Sequence, residues 1–282
     1  MIQLWPLLVI GLAPLAAGFF LKRDSADFGV RTALGSTLLC ALSFALTFFW
    51  QELWLVIPKA LTPGLDPILY HNDHDWSGVD PIAELLQGSG AIATLTSGLA
   101  CLFILMRARN ASATWALFLF WMAFQGLFQA LTQLAIGALL AGNDVGRALA
   151  YLGVGGAAKA ALFVCAVGSM WVFGRALARI YPLASAPSAE RSRGFALVIL
   201  VPALLAVGLI IPFRIPREMV EVVLIPLIVN VVGAAWVIAG AVGAYPSDKA
   251  AATREPHLIG PAIAVCLLLA FFQLVLRAGV AF

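Results

Sequence analysis

The sequence predicts an all-α protein, a polytopic helical bundle of about eight transmembrane helices with one long ordered loop and no soluble domain of any size. Three observations predict it. Of 282 residues, 62% are hydrophobic and only 11% are charged, less than half of the roughly 25% charge that a water-facing surface uses. Apolar stretches repeatedly exceed the roughly 18 to 20 residues that a helix needs to cross the hydrocarbon core. They are continuous rather than short and alternating, which excludes a transmembrane barrel.

The spans are expected at 3–21, 32–57, 88–106, 112–141, 149–173, 194–213, 220–244 and 258–280. The first has no positive charge before its apolar run, and Lys22-Arg23 follow it. A cleavable signal peptide has the opposite order, so this span is expected to be retained. The second ends in FFWQELWLVIPKAL. The connection 58–87 then carries four prolines, Tyr70, Trp76 and clustered acids, and is expected to be an ordered interfacial loop with a short helix over Pro81–Gln87. Connections this long in a compact protein are usually functional or packed over something. The third span is rich in small residues (GSGAIATLTSGLACLFIL), and the fourth is long enough to tilt or project. The fifth carries Lys159 just after Gly153, Gly155 and Gly156. The polar stretch Pro182–Gly194 is expected to be a hinge, and spans six to eight to pack against the rest or face a partner. The whole chain, 1–282, is expected to form one membrane domain, with a core at 32–175 and additional helices at 194–280.

Basic residues are uneven between alternate connections. Eleven of the 17 lie on one side, at Lys22, Arg23, Arg31, Arg107, Arg109, Arg175, Arg179, Arg191, Arg193, Lys249 and Arg254. Only Lys59, Arg147, Arg214, Arg217 and Arg277 lie on the other. Positive charge favours the cytoplasm, so both termini are expected on the non-cytoplasmic side of a bacterial cytoplasmic membrane. The net charge of +3 is dispersed and gives nucleic acid binding no support. Cys40, Cys101, Cys165 and Cys266 all lie in apolar runs without CxxC spacing, as small packing residues would.

Ionisable and amide groups at membrane depth are costly and therefore informative. Gln51-Glu52 lie between Trp50 and Trp54, either as an interfacial carboxylate in an aromatic belt or as part of a site. His71-Asn72-Asp73-His74-Asp75 is either a solvated turn or a weak divalent-metal candidate through His71, His74 and Asp73. Gln125, Gln129 and Gln133 recur every four residues and share one helix face. That face serves interhelical hydrogen bonds or a polar cavity wall. Asn143-Asp144 belong to a helix cap that also faces neighbouring helix ends. Lys159 requires an anionic partner or a depressed pKa, and Glu52 and Asp144 are the expected acids. Topology gathers these elements into the outer half of the bundle, so a shared polar pocket is expected.

Residues 34–175 resemble the core of site-2-protease-type intramembrane zinc metalloproteases, as a degenerate, non-peptidase-like homologue. Glu52 looks like the glutamate of the family's HExxH motif, and Asp144-Val145-Gly146-Arg147 looks like the aspartate-containing second motif. In the family two histidines and that aspartate bind zinc, and the glutamate is the general base. Here Gln51 and Leu55 occupy the two histidine positions, so the resemblance implies no standard zinc site and points away from an enzyme. Glu52 and Asp144 are the catalytic candidates if activity survives. Two compensations are open: His71 and His74 could supply imidazoles to Glu52 and Asp144, or Lys159 could replace the lost metal charge. The function expected is a non-catalytic scaffold binding another membrane protein or a transmembrane segment. The alternatives are an accessory subunit of a larger membrane complex, a small-solute transporter, or an active intramembrane metalloprotease. No cofactor is expected, and zinc enters only through the resemblance.

Overall fold

A computed structural model describes residues 30–108, 111–180, 199–241 and 256–282. The expected first span at 3–21 and the hinge at 182–194 lie outside these residues. Six described helices are long and apolar enough to cross a membrane, and the chain is a helical membrane protein.

Helix α1 runs from Val30 to Ala60. Its 31 residues reach about 46 Å, well beyond the roughly 30 Å of hydrocarbon, so it carries Glu52 and Lys59 toward one end of the bundle. After the short α2 (Ile82–Leu86), α3 spans Ser89–Arg107 and α4 spans Ala113–Leu139. The small residues of α3 allow a close crossing with α4. A Cβ on Gly126 would stand 2.7 Å from the Gly98 Cα and from the Thr94 carbonyl oxygen. Helix α4 is the centre of the bundle, with Phe120, Trp121, Phe124, Leu127 and Phe128 fully buried.

The chain breaks after Leu139, and a separate helix, α5, occupies Asp144–Tyr151. Its N-cap is Asn143, whose side-chain oxygen accepts from the Gly146 N–H at 2.9 Å. The expected fifth span therefore begins later than 149: α6 runs from Gly156 to Ile180. Beyond it lie α7 (Val201–Arg214), a π-helical turn over Val220–Leu224, α8 (Ile225–Ala241) and α9 (Ile259–Leu274).

The bundle is mainly helical, yet a small sheet, which the all-α expectation did not contain, closes one end. Strands β1 (Asp66–Leu69) and β2 (His74–Ser77) form an antiparallel hairpin, and β3 (Val280–Ala281) pairs with β1 on its other side. The register sets Leu69 opposite His74 and Asp66 opposite Ser77. The Tyr70 N–H closes the turn on the Asp73 carbonyl at 2.8 Å. Its two central residues, His71 and Asn72, are both buried. Alternation along β2 sends His74 and Trp76 to the bundle side and exposes Asp75 and Ser77. The loop is thus ordered as expected, and its short helix lies within the expected 81–87, but its centre is a hairpin.

Candidate functional site

Under the hairpin lies a cavity of about 280 Å³. Helix α1 supplies Gln51 and Glu52, the hairpin supplies Asn72, Asp73 and His74, and α4 supplies Gln129, Thr132 and Gln133. Asn143 and Asp144 enter from the start of α5, Arg214 from the end of α7 and Glu221 from the π-helical turn before α8. The wall therefore draws on both the 32–175 core and the later helices.

The central contact joins α1 to the hairpin. Nδ1 of His74 lies 2.8 Å from Oε2 of Glu52, with both side chains buried. On the opposite edge of the ring, Nε2 of His74 lies 3.0 Å from Oε1 of the buried Gln87. A carbonyl oxygen only accepts, so this Nε2 carries a hydrogen. Trp76, two residues along β2, stacks against the His74 ring with centroids 5.8 Å apart.

Trp76 is also gripped by two cations. Lys59 Nζ stands 4.6 Å from its ring and the Arg147 guanidinium 5.0 Å. Lys59 is completely buried, and its Nζ donates to the Leu55 carbonyl at 2.8 Å. Arg147 makes a two-pronged contact with Glu84, at 2.6 and 2.7 Å, which ties α5 to α2 and holds the Arg147 pKa above its ordinary value. Asp144 carries the complementary strain. Burial, and then the Glu52 carboxylate, push its pKa up to about 6, against the pull of His74, Lys59 and Arg147.

The amide face of α4 is organised as a relay. Gln129 Nε2 donates to Gln125 Oε1 at 3.2 Å, and Gln125 Nε2 donates to Asn230 Oδ1 at 2.7 Å. Asn230 Nδ2 passes on to the Ala203 carbonyl at 3.2 Å. At the cavity end, Gln133 Nε2 donates to Gln51 Oε1 at 2.5 Å. Two acceptors in this wall, Oε1 of Gln129 and Oε1 of Gln133, are buried and have no protein donor.

The remaining hairpin residues fasten it to the α7–α8 connection. Asn72 Nδ2 donates to the Arg214 carbonyl at 2.8 Å, and His71 Nε2 donates to that of Ile215 at 3.1 Å. Arg217 donates to Asp73 Oδ2. Burial lowers the His71 pKa, which suits a neutral ring held by one carbonyl.

Of the residues singled out in the sequence, Gln51, Glu52, Asp73, His74, Gln129, Gln133, Asn143 and Asp144 meet around the cavity. Gln125 lies below it in the relay. His71 points away to Ile215, so only His74 supplies an imidazole to Glu52. Lys159 does not line the cavity; it is partly exposed near the start of α6, a span largely uncovered by protein. The lysine near the acids is Lys59, whose charge bears on Asp144. Sequence reasoning also missed Arg214, Asn230 and Glu221. A lone asparagine inside the apolar run IPLIVNVVGAAWV was the available signal for Asn230.

The zinc set implied by the family resemblance does not fit. Gln51 spends its oxygen on Gln133, and Leu55 is buried against Gly90, whose Cβ position lies 2.8 Å from the Leu55 Cγ. Neither offers the imidazole that the motif requires. No family model matches the chain, and comparison with curated proteins and with solved structures finds no similar one.

Proposed function

We propose that the chain is a non-catalytic, membrane-embedded binding protein with a degenerate site-2-protease-like core. Its cavity receives a polar, cationic group carried by the transmembrane segment of another membrane protein. The observation that carries this reading is the cavity's surplus of acceptors. Gln129 and the half-buried Gln133 each keep a buried carbonyl oxygen without a donor, and unpaired buried acceptors cost on the order of 1–3 kcal/mol each until a donor arrives. Among the described residues, Glu52, Asp73, Asp144 and Glu221 line the same space with one lining guanidinium, Arg214, while Arg217, from outside the lining, pairs with Asp73 and Glu221. The substitution of both family histidine positions by Gln51 and Leu55 supports binding without cleavage. In this reading the cavity opens toward the non-cytoplasmic side of a bacterial cytoplasmic membrane, because the basic residues concentrate on the other set of connections.

The test uses the full chain in liposomes with fluorescent single-span peptides that carry either lysine or leucine near one membrane boundary. Energy transfer is expected for the lysine peptide, without cleavage products on a gel, and is expected to fall in a Q129L/Q133L variant. Equal transfer for the leucine peptide would overturn the recognition of a cationic group. Cleavage that disappears in Glu52→Gln would instead establish an active metalloprotease.

A further inference from the structure

We propose that Glu52, Asp73 and His74 form a site for one divalent transition-metal ion that clasps the hairpin onto α1. Each residue offers one ligand atom, and the three atoms lie within 4.8 Å of one another. One imidazole nitrogen with two carboxylate oxygens is a donor set for borderline cations such as zinc, manganese or ferrous iron. Asp73 and His74 come from the hairpin, so this set is distinct from positions 51, 55 and 144.

Two further observations point to a cation. The first is the tautomer of His74. Its Nε2 faces Gln87 Oε1 at 3.0 Å, and a ring that donates there through Nε2–H turns the lone pair of its Nδ1 toward α1. That lone pair faces Glu52 Oε2 at 2.8 Å. Two acceptors at this separation need a positive charge between or upon them. Gln87 meanwhile does what a partner of a metal-bound histidine does, fixing the ring through its far nitrogen. Metal bonds of about 2.0–2.2 Å at a tetrahedral angle hold two donors roughly 3.3–3.6 Å apart, so Nδ1 and Oε2, at 2.8 Å, need part by only about 0.5–0.8 Å. The second is Gln129, which is 3% exposed, lines the same cavity and has an Oε1 with no partner. Arg217 also donates to Asp73, but a carboxylate has lone pairs for both a guanidinium and a metal.

The ion would occupy the cavity wall whether or not a partner enters. The test uses the full chain, purified in detergent and stripped with EDTA. Cobalt(II) is titrated against visible absorption, zinc is titrated calorimetrically, and melting is followed with and without zinc. One ion per chain is expected, with affinity at least tenfold weaker in Glu52→Gln and in His74→Gln but unchanged in His71→Gln. Zinc is expected to raise the wild-type melting temperature, since it binds the folded hairpin. Absence of binding and of any wild-type melting shift would overturn the site even if a variant fails to fold, leaving a shared proton between His74 and Glu52. Equal binding by all variants, or cobalt–thiolate bands from the exposed Cys165 or Cys266, would also overturn it. The peptide assay contains no added metal, so either idea can fail without the other.

Discussion

His74 and Glu52 are 22 positions apart in sequence, yet their side chains meet at 2.8 Å in the buried seam between hairpin and bundle. Removing one member of such a contact strands the other without its partner, which typically costs about 1–3 kcal/mol. His74→Ala is therefore expected to destabilise the protein by about that amount in SDS-titrated unfolding from detergent micelles. Glu52→Gln, which keeps a polar group opposite the ring, is expected to cost less. Equal stability of His74→Ala and wild type would show that the contact contributes nothing.

The relay below the cavity gives a double-mutant test. Gln125 and Asn230 are both fully buried and bond at 2.7 Å. Asn230→Leu leaves the Gln125 amide without its acceptor, at an expected cost of about 1–3 kcal/mol. Adding Gln125→Leu is expected to recover part of that loss, because two apolar groups then replace two polar ones. Strict additivity of the two losses would contradict the pairing.

The α3–α4 crossing is limited by backbone. Gly126→Ala places a methyl 2.7 Å from the Gly98 Cα, with no side chain there to move aside. The helices must separate, at an expected cost of about 1–3 kcal/mol. Gly208→Ala, where a Cβ meets nothing within 4 Å, is the matched control and is expected to be neutral or slightly stabilising.

Asp144 makes stability depend on pH. Its carboxyl is raised to about 6 in the fold and returns to roughly 4 when unfolded. The folded state therefore binds the extra proton, and this contribution is complete below about pH 4. It is lost as pH rises from about 4 to about 6. Melting temperatures across pH 4 to 7 should show a downward component that Asp144→Asn removes. An unchanged profile in the variant would assign the dependence to another group.

The sequence by itself determined the membrane-spanning helical character, because a continuous apolar run has no other satisfied backbone conformation in lipid. Six of the seven expected spans that fall within the described residues correspond to long apolar helices, and the seventh to the shorter Val201–Arg214. The shared polar face of Gln125, Gln129 and Gln133 was equally legible, since spacing fixes a helix face. The capped turn at 142–147 was legible from its local chemistry, but not that Asn143 opens a separate short helix there. Which distant groups meet was decided only by tertiary structure. Whether His71 or His74 meets Glu52 depends on hairpin register, since a shift of one residue exchanges the two faces of a strand. Lys59 and Lys159 look alike as charges beside apolar runs. The first is buried because Trp76 folds over it, and the second stays partly exposed because α6 is barely covered by protein. Neither burial is written in local sequence, since each depends on what another part of the chain lays across it.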